Sequence, residues 1–207
     1  MKRKFQHIAY LLMVAAVITS CGEKKQTSEF PDWAWADFQR PEGINPIVSP
    51  DTTTVFYCPM RQDSVAWESS DTFNPAATIY YGKVVVLYRA EDNSAVGIGS
   101  RTSRLGYAYS DDGLHFNRMT VPVFYPADDN QKELEWPGGC EDPRVAVTDD
   151  GLYVMLYTQW NRKQARLAVA TSRDLQIWEK YGPAFAKAYG GRFFDEFSKS
   201  FWLSSAG

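Results

Sequence analysis

The feature that most constrains the fold is an internal repeat of strand-forming segments. Residues 104–118 align without gaps on residues 166–180, and Arg, Leu, Ala, Ser and Asp recur at matching positions. A second pair of segments precedes the first, because residues 74–89 match residues 142–158. The offsets are 62 residues for the first pair and 68 to 69 for the second. A chain built from copies of one unit is expected to fold as a repeat protein, in which each copy packs against its neighbour.

Each copy predicts four antiparallel β-strands. Short segments of alternating apolar and aromatic residues are separated by turn sequences such as Asp112-Gly113 and Asp150-Gly151. No segment keeps the apolar period of 3.6 residues that a helix requires, and the apolar runs are rich in Val, Ile, Tyr and Thr. Four-stranded units of this kind form the blades of β-propellers, so we expect an all-β fold.

The composition agrees with a β-rich globular domain and argues against a nucleic-acid partner. Aromatic residues make up 15% of the chain and hydrophobic residues 44%, which is sufficient for a packed core. The 22 Lys and Arg residues stand against 25 Asp and Glu residues, a net charge of −3. This balance offers no basic face for a phosphate backbone.

The length is short for a closed propeller. A ring of blades needs at least about four of them. At 62 to 69 residues per copy, the 187 residues that follow the first twenty make fewer than three copies. We therefore expect residues 31–207 to form an incomplete propeller domain, in a truncated or frameshifted chain.

The N-terminal residues predict an export signal. Residues 2–4 are basic, residues 8–18 are almost entirely apolar, and small polar residues then lead to Cys21. The sequence of residues 18–21 resembles a bacterial lipobox, in which cleavage precedes the cysteine and its thiol is acylated. The apolar run is too short for a retained transmembrane helix.

We therefore expect residues 1–20 to be a signal peptide and residues 21–30 to be a lipidated cysteine with a flexible tether. The protein would be an exported lipoprotein of the periplasm or the cell surface, with its lipid as the one membrane contact. The alternative is an ordinary secretory peptide with an incidental Cys21.

Few residues remain for thiol, imidazole or metal chemistry. Apart from the lipidated Cys21, the exported chain would have only Cys58, Cys140 and a single histidine, His115. A disulfide is possible in principle, but we favour two small buried thiols. His115 lies in a predicted turn, which favours a structural role. Since one histidine builds neither a catalytic triad nor a metal site, any catalysis must rest on carboxylates.

The strongest motif is Gly-Gly-Cys-Glu-Asp-Pro-Arg at residues 138–144. Two further motifs are Asn-Pro-Ala-Ala at residues 74–77 and Leu-Tyr-Arg at residues 87–89, with weaker agreement at residues 110–116 and Pro122. Through these motifs the chain, over about residues 38–199, resembles glycoside hydrolase family 130, the mannoside phosphorylases and β-mannosidases. The resemblance implies a five-bladed β-propeller, of which this chain would cover about the first half to three fifths.

The residues of the main motif suit glycoside cleavage. Glu141 and Asp142 precede Pro143, whose ring fixes φ, and they follow two glycines that predict close approach of the backbone to a ligand. We expect this segment to face the central channel of the propeller. Cleaving a glycosidic bond requires a carboxylic acid that protonates the leaving oxygen.

The resemblance assigns roles to these residues. It implies that Asp142 is the catalytic acid, acting through a hydroxyl of the bound mannose. It further implies that Asn74, Arg89 and Glu141 bind the mannosyl unit, and Arg144 is expected to orient the sugar or a carboxylate.

Structural alternatives exist for two of these roles, those of Asp142 and Arg89. In the structural alternative, Asp142 is not catalytic: it caps backbone N–H groups in a turn and forms a salt bridge with Arg144. Arg89 would form a strand-end ion pair with Glu91 or Asp92. Of the tryptophans, only Trp136 is a candidate to stack on a sugar, and the others are expected in the core.

The sequence leaves the attacking group open between water and phosphate. A phosphorylase conserves bond energy in a sugar phosphate that an exported enzyme would lose, so we expect an inverting β-mannosidase that acts on β-linked mannosides. The alternatives are a β-mannoside phosphorylase with inorganic phosphate as co-substrate, a glycan-binding protein, and an inactive truncated propeller. No other cofactor and no metal are expected.

Overall fold

The computed structural model describes residues 39–192 and residue 194. Every element below belongs to one compact part of the chain, Pro41–Gly207. The predicted signal peptide, Cys21 and the tether lie outside the described residues and stay predictions. Within the described ranges, no helix is long and apolar enough to cross a membrane.

Two antiparallel four-stranded units follow one another along the chain. A short hairpin of β1 (Phe56–Cys58) and β2 (Asp63–Val65) comes first. The first unit consists of β3 (Asp71–Tyr80), β4 (Lys83–Glu91), β5 (Ser103–Ser110) and β6 (Asn117–Arg118). The second consists of β7 (Gly139–Val147), β8 (Tyr153–Trp160), β9 (Ala165–Ser172) and β10 (Glu179–Pro183). In each unit every strand pairs with the next, which confirms the predicted four strands per repeat.

The two units meet where β5 and β7 begin. Ser103 and Gly139 form the one parallel pair between them, in a sheet whose order is β10-β9-β8-β7-β5-β4-β3 with β6 on β5. The helical elements of the described part are α1 (Lys132–Glu135) and a 3₁₀ turn (Ala188–Gly191). The fold is therefore mostly β, as expected, and the described strands do not close into a ring.

The turn before the fourth strand has the same structure in both units. Asp112 Oδ1 accepts the N–H groups of Leu114 and His115 at 2.8 Å. Asp174 Oδ1 accepts those of Gln176 and Ile177 at 2.9 and 2.7 Å. These Asx turns satisfy backbone donors that a tight reversal leaves unpaired. His115 lies exposed in the first turn with its Nδ1 2.7 Å from Asp112 Oδ2, which agrees with a structural role.

The core consists of two clusters of buried side chains. One lies mostly between the two units and includes Leu105, Met155 and Cys140, while the other includes Trp67 and Cys58. Both cysteines are buried free thiols, as predicted, and burial raises the pKa of the Cys140 thiol well above its usual value.

A buried polar group recurs in both units. A glutamate that precedes the first strand accepts hydrogen bonds from a tyrosine hydroxyl on the second strand and from a cation on the fourth. The two sets are Glu68, Tyr88 and Arg118, and Glu135, Tyr157 and Lys180. Burial raises the pKa of both glutamates although each has a cation beside it. The group ties the outermost strand of each unit to its inner strands.

Candidate active site

Asn74 and Asp142 occupy equivalent positions in the two units. Each lies in a β-bulge of its first strand, and each precedes a proline. Their φ angles are 45° and 50°, in the left-handed region that Asn and Asp adopt more readily than other residues with a side chain. In this conformation Asn74 Nδ2 donates a hydrogen bond of 2.8 Å to Asp142 Oδ1. The repeat thus brings together two residues 68 positions apart.

Arg89 lies at the centre of this site. Its side chain, on β4, is 2% exposed. Nη1 donates to Asp142 Oδ1 at 3.1 Å, and Nε donates to Ser103 Oγ at 3.1 Å. Nη2 lies 2.6 Å from Glu91 Oε1 and 2.8 Å from Glu141 Oε1. One guanidinium therefore contacts three carboxylates and a hydroxyl.

We call this group the Arg89 cluster. Its members are Asn74, Arg89, Glu91, Ser103, Glu141 and Asp142.

Strand register positions the cluster. Phe73 is the cross-strand partner of Arg89, and its ring centroid lies 4.5 Å from Arg89 Cζ, a cation–π contact on one face of the guanidinium. Ser103 is the cross-strand partner of Glu91, so both side chains project from the same face of the sheet. The guanidinium of Arg89 is thus held by residues of β3, β4 and β5: Phe73 packs on its face, and Glu91 and Ser103 bind its N–H groups.

The charges of the cluster are buried. The side chains of Glu91, Glu141 and Asp142 are 0%, 5% and 9% exposed. Three carboxylates around one guanidinium carry excess negative charge, which is costly away from water unless other donors share it. Arg101, from the loop between β4 and β5, lies 3.5 Å from Glu91 and also pairs with Asp71.

The structure brings four of the five predicted sugar-site residues together. Asn74, Arg89, Glu141 and Asp142 are all members of the Arg89 cluster. Arg144 does not join them: it is exposed, and its Nη1 donates to the carbonyl oxygen of Pro143 at 2.8 Å. Its role in orienting a sugar stays a prediction.

The same contacts bear on the structural alternatives for Asp142 and Arg89. The guanidinium beside Asp142 is that of Arg89, from the other unit, and not the neighbouring Arg144. Arg89 does pair with Glu91, but it contacts the site carboxylates as well. Asp92 pairs instead with Arg104, 2.8 Å away. Trp136 is half-buried and packs against the core cluster that contains Trp67, as a core tryptophan does.

The two glycines of the main motif need a correction. The sequence predicts close approach to a ligand there, but the structure shows close approach to protein. A Cβ on Gly139 would lie 2.2 Å from the carbonyl oxygen of Ser103, and one on Gly138 would lie 2.3 Å from Trp160. The glycines are therefore needed because β7 begins directly against β5 and β8.

Ser103 and Phe73 are site residues that the motifs do not indicate. Neither lies in a motif, and both reach Arg89 through cross-strand pairing. The signal that could identify them is register: once β3, β4 and β5 pair, the partners of Arg89 and Glu91 follow. Among the residues that the structure describes, no group of His, Cys, Asp and Glu could hold a metal ion.

The arrangement defines a class of protein. A buried carboxyl beside a guanidinium, a second carboxylate and an amide provides the donors and acceptors that sugar hydroxyls require, with an acid for a glycosidic oxygen. Built on a repeated four-stranded β-unit, it is a candidate site for carbohydrate chemistry.

The chain belongs to glycoside hydrolase family 130. The family model, described as β-1,4-mannooligosaccharide phosphorylase, matches residues 39–200.

One curated relative and two solved structures illustrate the similarity. The relative, 1,2-β-oligomannan phosphorylase of Thermoanaerobacter sp. (strain X514), is 39% identical over 56% of this chain and 38% of its own length. A crystal structure of a candidate glycosidase from Bacteroides thetaiotaomicron VPI-5482 is 99% identical, with a TM-score of 0.81, over 84% of this chain and 50% of that one.

The second structure was reported with the finding that the family of mannoside phosphorylases contains glycoside hydrolases that target β-1,2 mannosidic linkages in Candida mannan. It is 69% identical, with a TM-score of 0.81, over 83% of this chain and 48% of that one. The chain thus spans half or less of the length of each of these proteins.

Proposed function

We propose that the complete enzyme cleaves β-1,2-linked mannosides, with Asp142 as the catalytic acid. The observation that carries this proposal is the convergence of Asn74 and Asp142, from two repeats, on the buried Arg89. Membership of family 130 supports mannosides as the substrate class, and the names of the relatives favour the 1,2 linkage.

The site chemistry follows from the contacts. Asp142 Oδ1 accepts hydrogen bonds from Asn74 and Arg89, which fix the plane of the carboxyl group. In the proposed reaction this carboxyl donates its proton, through a hydroxyl of the bound mannose, to the leaving oxygen. Asn74, Arg89 and Glu141 hydrogen-bond the mannosyl unit, and the attacking group approaches the opposite face of the sugar with inversion.

We also propose that the complete chain forms a closed β-propeller. Each described unit has the four antiparallel strands of a propeller blade, and the family resemblance supplies five blades. In that ring β3 and β7 are inner strands, so the Arg89 cluster faces the central channel.

Inorganic phosphate is the attacking group that the curated relative supports. The predicted export favours water, because an exported phosphorylase would lose its sugar phosphate. A phosphorylase nevertheless fits the name of the curated relative better. The product would be a mannose 1-phosphate of inverted configuration.

Hydrolysis is the second candidate, because the 69% identical structure was reported together with hydrolases of β-1,2-mannosides. In that case water takes the place of phosphate while Asp142 keeps its role.

Product analysis tests the proposal. A full-length chain containing these residues would be incubated with β-1,2-mannobiose, with and without phosphate. We expect turnover to require phosphate and to yield mannose 1-phosphate. Free mannose released at the same rate without phosphate would assign the enzyme to the hydrolases, and absence of cleavage under both conditions would refute the proposed function.

A further inference from the structure

The guanidinium of Arg89 is held by an acceptor at every nitrogen. Nε faces Ser103, Nη2 faces Glu91 and Glu141, and Nη1 faces Asp142. Because the guanidinium is a rigid planar fork, fixing Nε and Nη2 also fixes the direction of Nη1. The contact with Asp142 therefore depends on the contacts at the other two nitrogens.

Ser103 links the other contacts. Its hydroxyl is fully buried, accepts the Nε hydrogen bond, and lies 3.2 Å from Glu91 Oε1 and 3.3 Å from Glu141 Oε1. A serine hydroxyl carries one hydrogen, so it donates to only one of these oxygens at a time. Ser103 thus joins both carboxylates to the guanidinium at a single point.

Glu91 lies between two cations. Its Oε1 accepts from Arg89 Nη2 at 2.6 Å, and its Oε2 lies 3.5 Å from Arg101 Nη1. Its side chain is fully buried. Unlike Glu141 and Asp142, it lies on β4 itself, two residues from Arg89, and outside the main motif.

We infer that Ser103 and Glu91 are positioning residues, which act on Asp142 by fixing the orientation of Arg89. The inference rests on the proposed function, in which Asp142 is the acid. It adds two residues that contact Arg89 at Nε and Nη2, the nitrogens that do not contact Asp142, and it predicts a separate, measurable effect for each.

Substitutions of Glu91 and Ser103 should shift the pKa of Asp142 in opposite directions. Among the charged groups near Asp142 are Arg89, which contacts it, and Glu91 and Glu141, which contact Arg89 in turn. Arg101 and Asp71 lie beyond Glu91. Glu91→Gln removes a negative charge, so the field of Arg89 acts more strongly on Asp142 and lowers its pKa. Ser103→Ala removes no charge but loosens the guanidinium, so Arg89 stabilises the carboxylate less and the pKa rises.

The experiment is the pH profile of kcat/KM in a full-length chain containing these residues. The basic limb reports loss of the proton from the acid. We expect this limb to move to lower pH in Glu91→Gln and to higher pH in Ser103→Ala. Limbs that stay in place in both variants, or that move in the same direction, overturn the inference.

Leaving-group dependence is the second readout. Ser103→Ala should lower kcat about tenfold on β-1,2-mannobiose, because the acid is misplaced. On an aryl mannoside whose leaving group needs no protonation, the loss should be at most about twofold. An equal loss on both substrates would indicate a general structural defect and contradict the inference.

Ser110→Ala is the matched control. Ser110 is a buried serine at the other end of β5, where its hydroxyl bonds within the turn of Asp112. Its variant should leave the basic limb in place. Glu91→Gln preserves side-chain size, so the test stands even if Ser103→Ala does not fold.

Failure of this inference can be told from failure of the proposed function. If Asp142→Asn abolishes activity while neither variant moves the limb, only the positioning roles are refuted. If Asp142→Asn keeps normal turnover, the acid role itself is wrong.

Discussion

Asn74 and Asp142 show how one backbone position serves two purposes in a repeat protein. Both lie in a bulge, and both have a left-handed φ that Asn and Asp tolerate. The carboxyl of Asp142 carries the proposed chemistry, while the amide of Asn74 holds that carboxyl. The repeat produces the same backbone conformation at both positions, and the side chain, amide or carboxyl, determines what each residue does.

Arg89→Ala should destabilise the protein as well as weaken substrate binding. A role in sugar binding alone would predict an effect mainly on KM, but the structure places three buried carboxylates around this guanidinium. Removing the cation takes away the positive charge that these three carboxylates share, at a cost of about 3–5 kcal/mol. Urea denaturation of a full-length chain measures the loss.

Arg144→Ala is the control for that experiment. Arg144 is exposed and its guanidinium contacts a carbonyl oxygen rather than the cluster. Its free energy of unfolding should change by less than about 0.5 kcal/mol. Equal stability of the Arg89 and Arg144 variants would contradict the structural account of the cluster.

At the scale of strands, the site depends on how closely β7 approaches β5. Gly139 has a φ of 119°, and a Cβ there would lie 2.2 Å from the carbonyl oxygen of Ser103. Since Ser103 is itself a member of the Arg89 cluster, any displacement at Gly139 reaches the site directly.

Gly139→Ala should therefore lower both stability and activity. Backbone strain and overpacking together cost about 2–5 kcal/mol. Gly151→Ala is the control, because its φ is also positive at 77° but nothing lies within 4 Å of the added Cβ. Thermal unfolding compares the two, and a melting temperature lowered equally in both would show that contact with Ser103 is unimportant.

The strands could be predicted from the sequence because the repeat shows its own boundaries. Turn residues such as Gly82 and Gly151 recur at matching positions, and in the structure each lies between the first and second strands of its four-stranded unit. The site could be predicted only where a motif marks it. Ser103 and Phe73 contact Arg89 through register, and register is a pairing of distant segments that no local pattern contains.

Sequence adjacency also misleads in this protein. Arg144 lies two residues from Asp142, and yet the guanidinium that contacts Asp142 comes from a residue 53 positions away. Likewise Gly138 and Gly139 face Trp160 and Ser103. The sequence motif marks these residues as special, and the fold shows which residues they contact.

At the scale of the whole molecule, the described part contributes residues from two repeats to one site. The chain spans half or less of the length of the compared family members, so the closed ring, the attacking group and the substrate remain proposals. The lipid anchor is proposed from the sequence of residues 18–21.

Metabolic labelling with a fatty acid tests the anchor. In a bacterial host with lipoprotein export we expect the protein to carry the label, and Cys21→Ser to abolish it, because that thiol is the proposed attachment point. Cys58→Ser, at a buried thiol, is the control and should keep the label. Label that survives Cys21→Ser would refute the lipobox.

The central claim is that Asp142, held by residues from two repeats, is the acid of a mannoside-cleaving enzyme. The most direct measurement is kcat of Asp142→Asn in a full-length chain containing these residues, on β-1,2-mannobiose with phosphate present. The amide is nearly isosteric and tolerates the left-handed φ, so the fold should persist while kcat falls by about 10²–10⁴-fold. Near-normal turnover by a folded variant would contradict the claim and make Glu141 the next candidate.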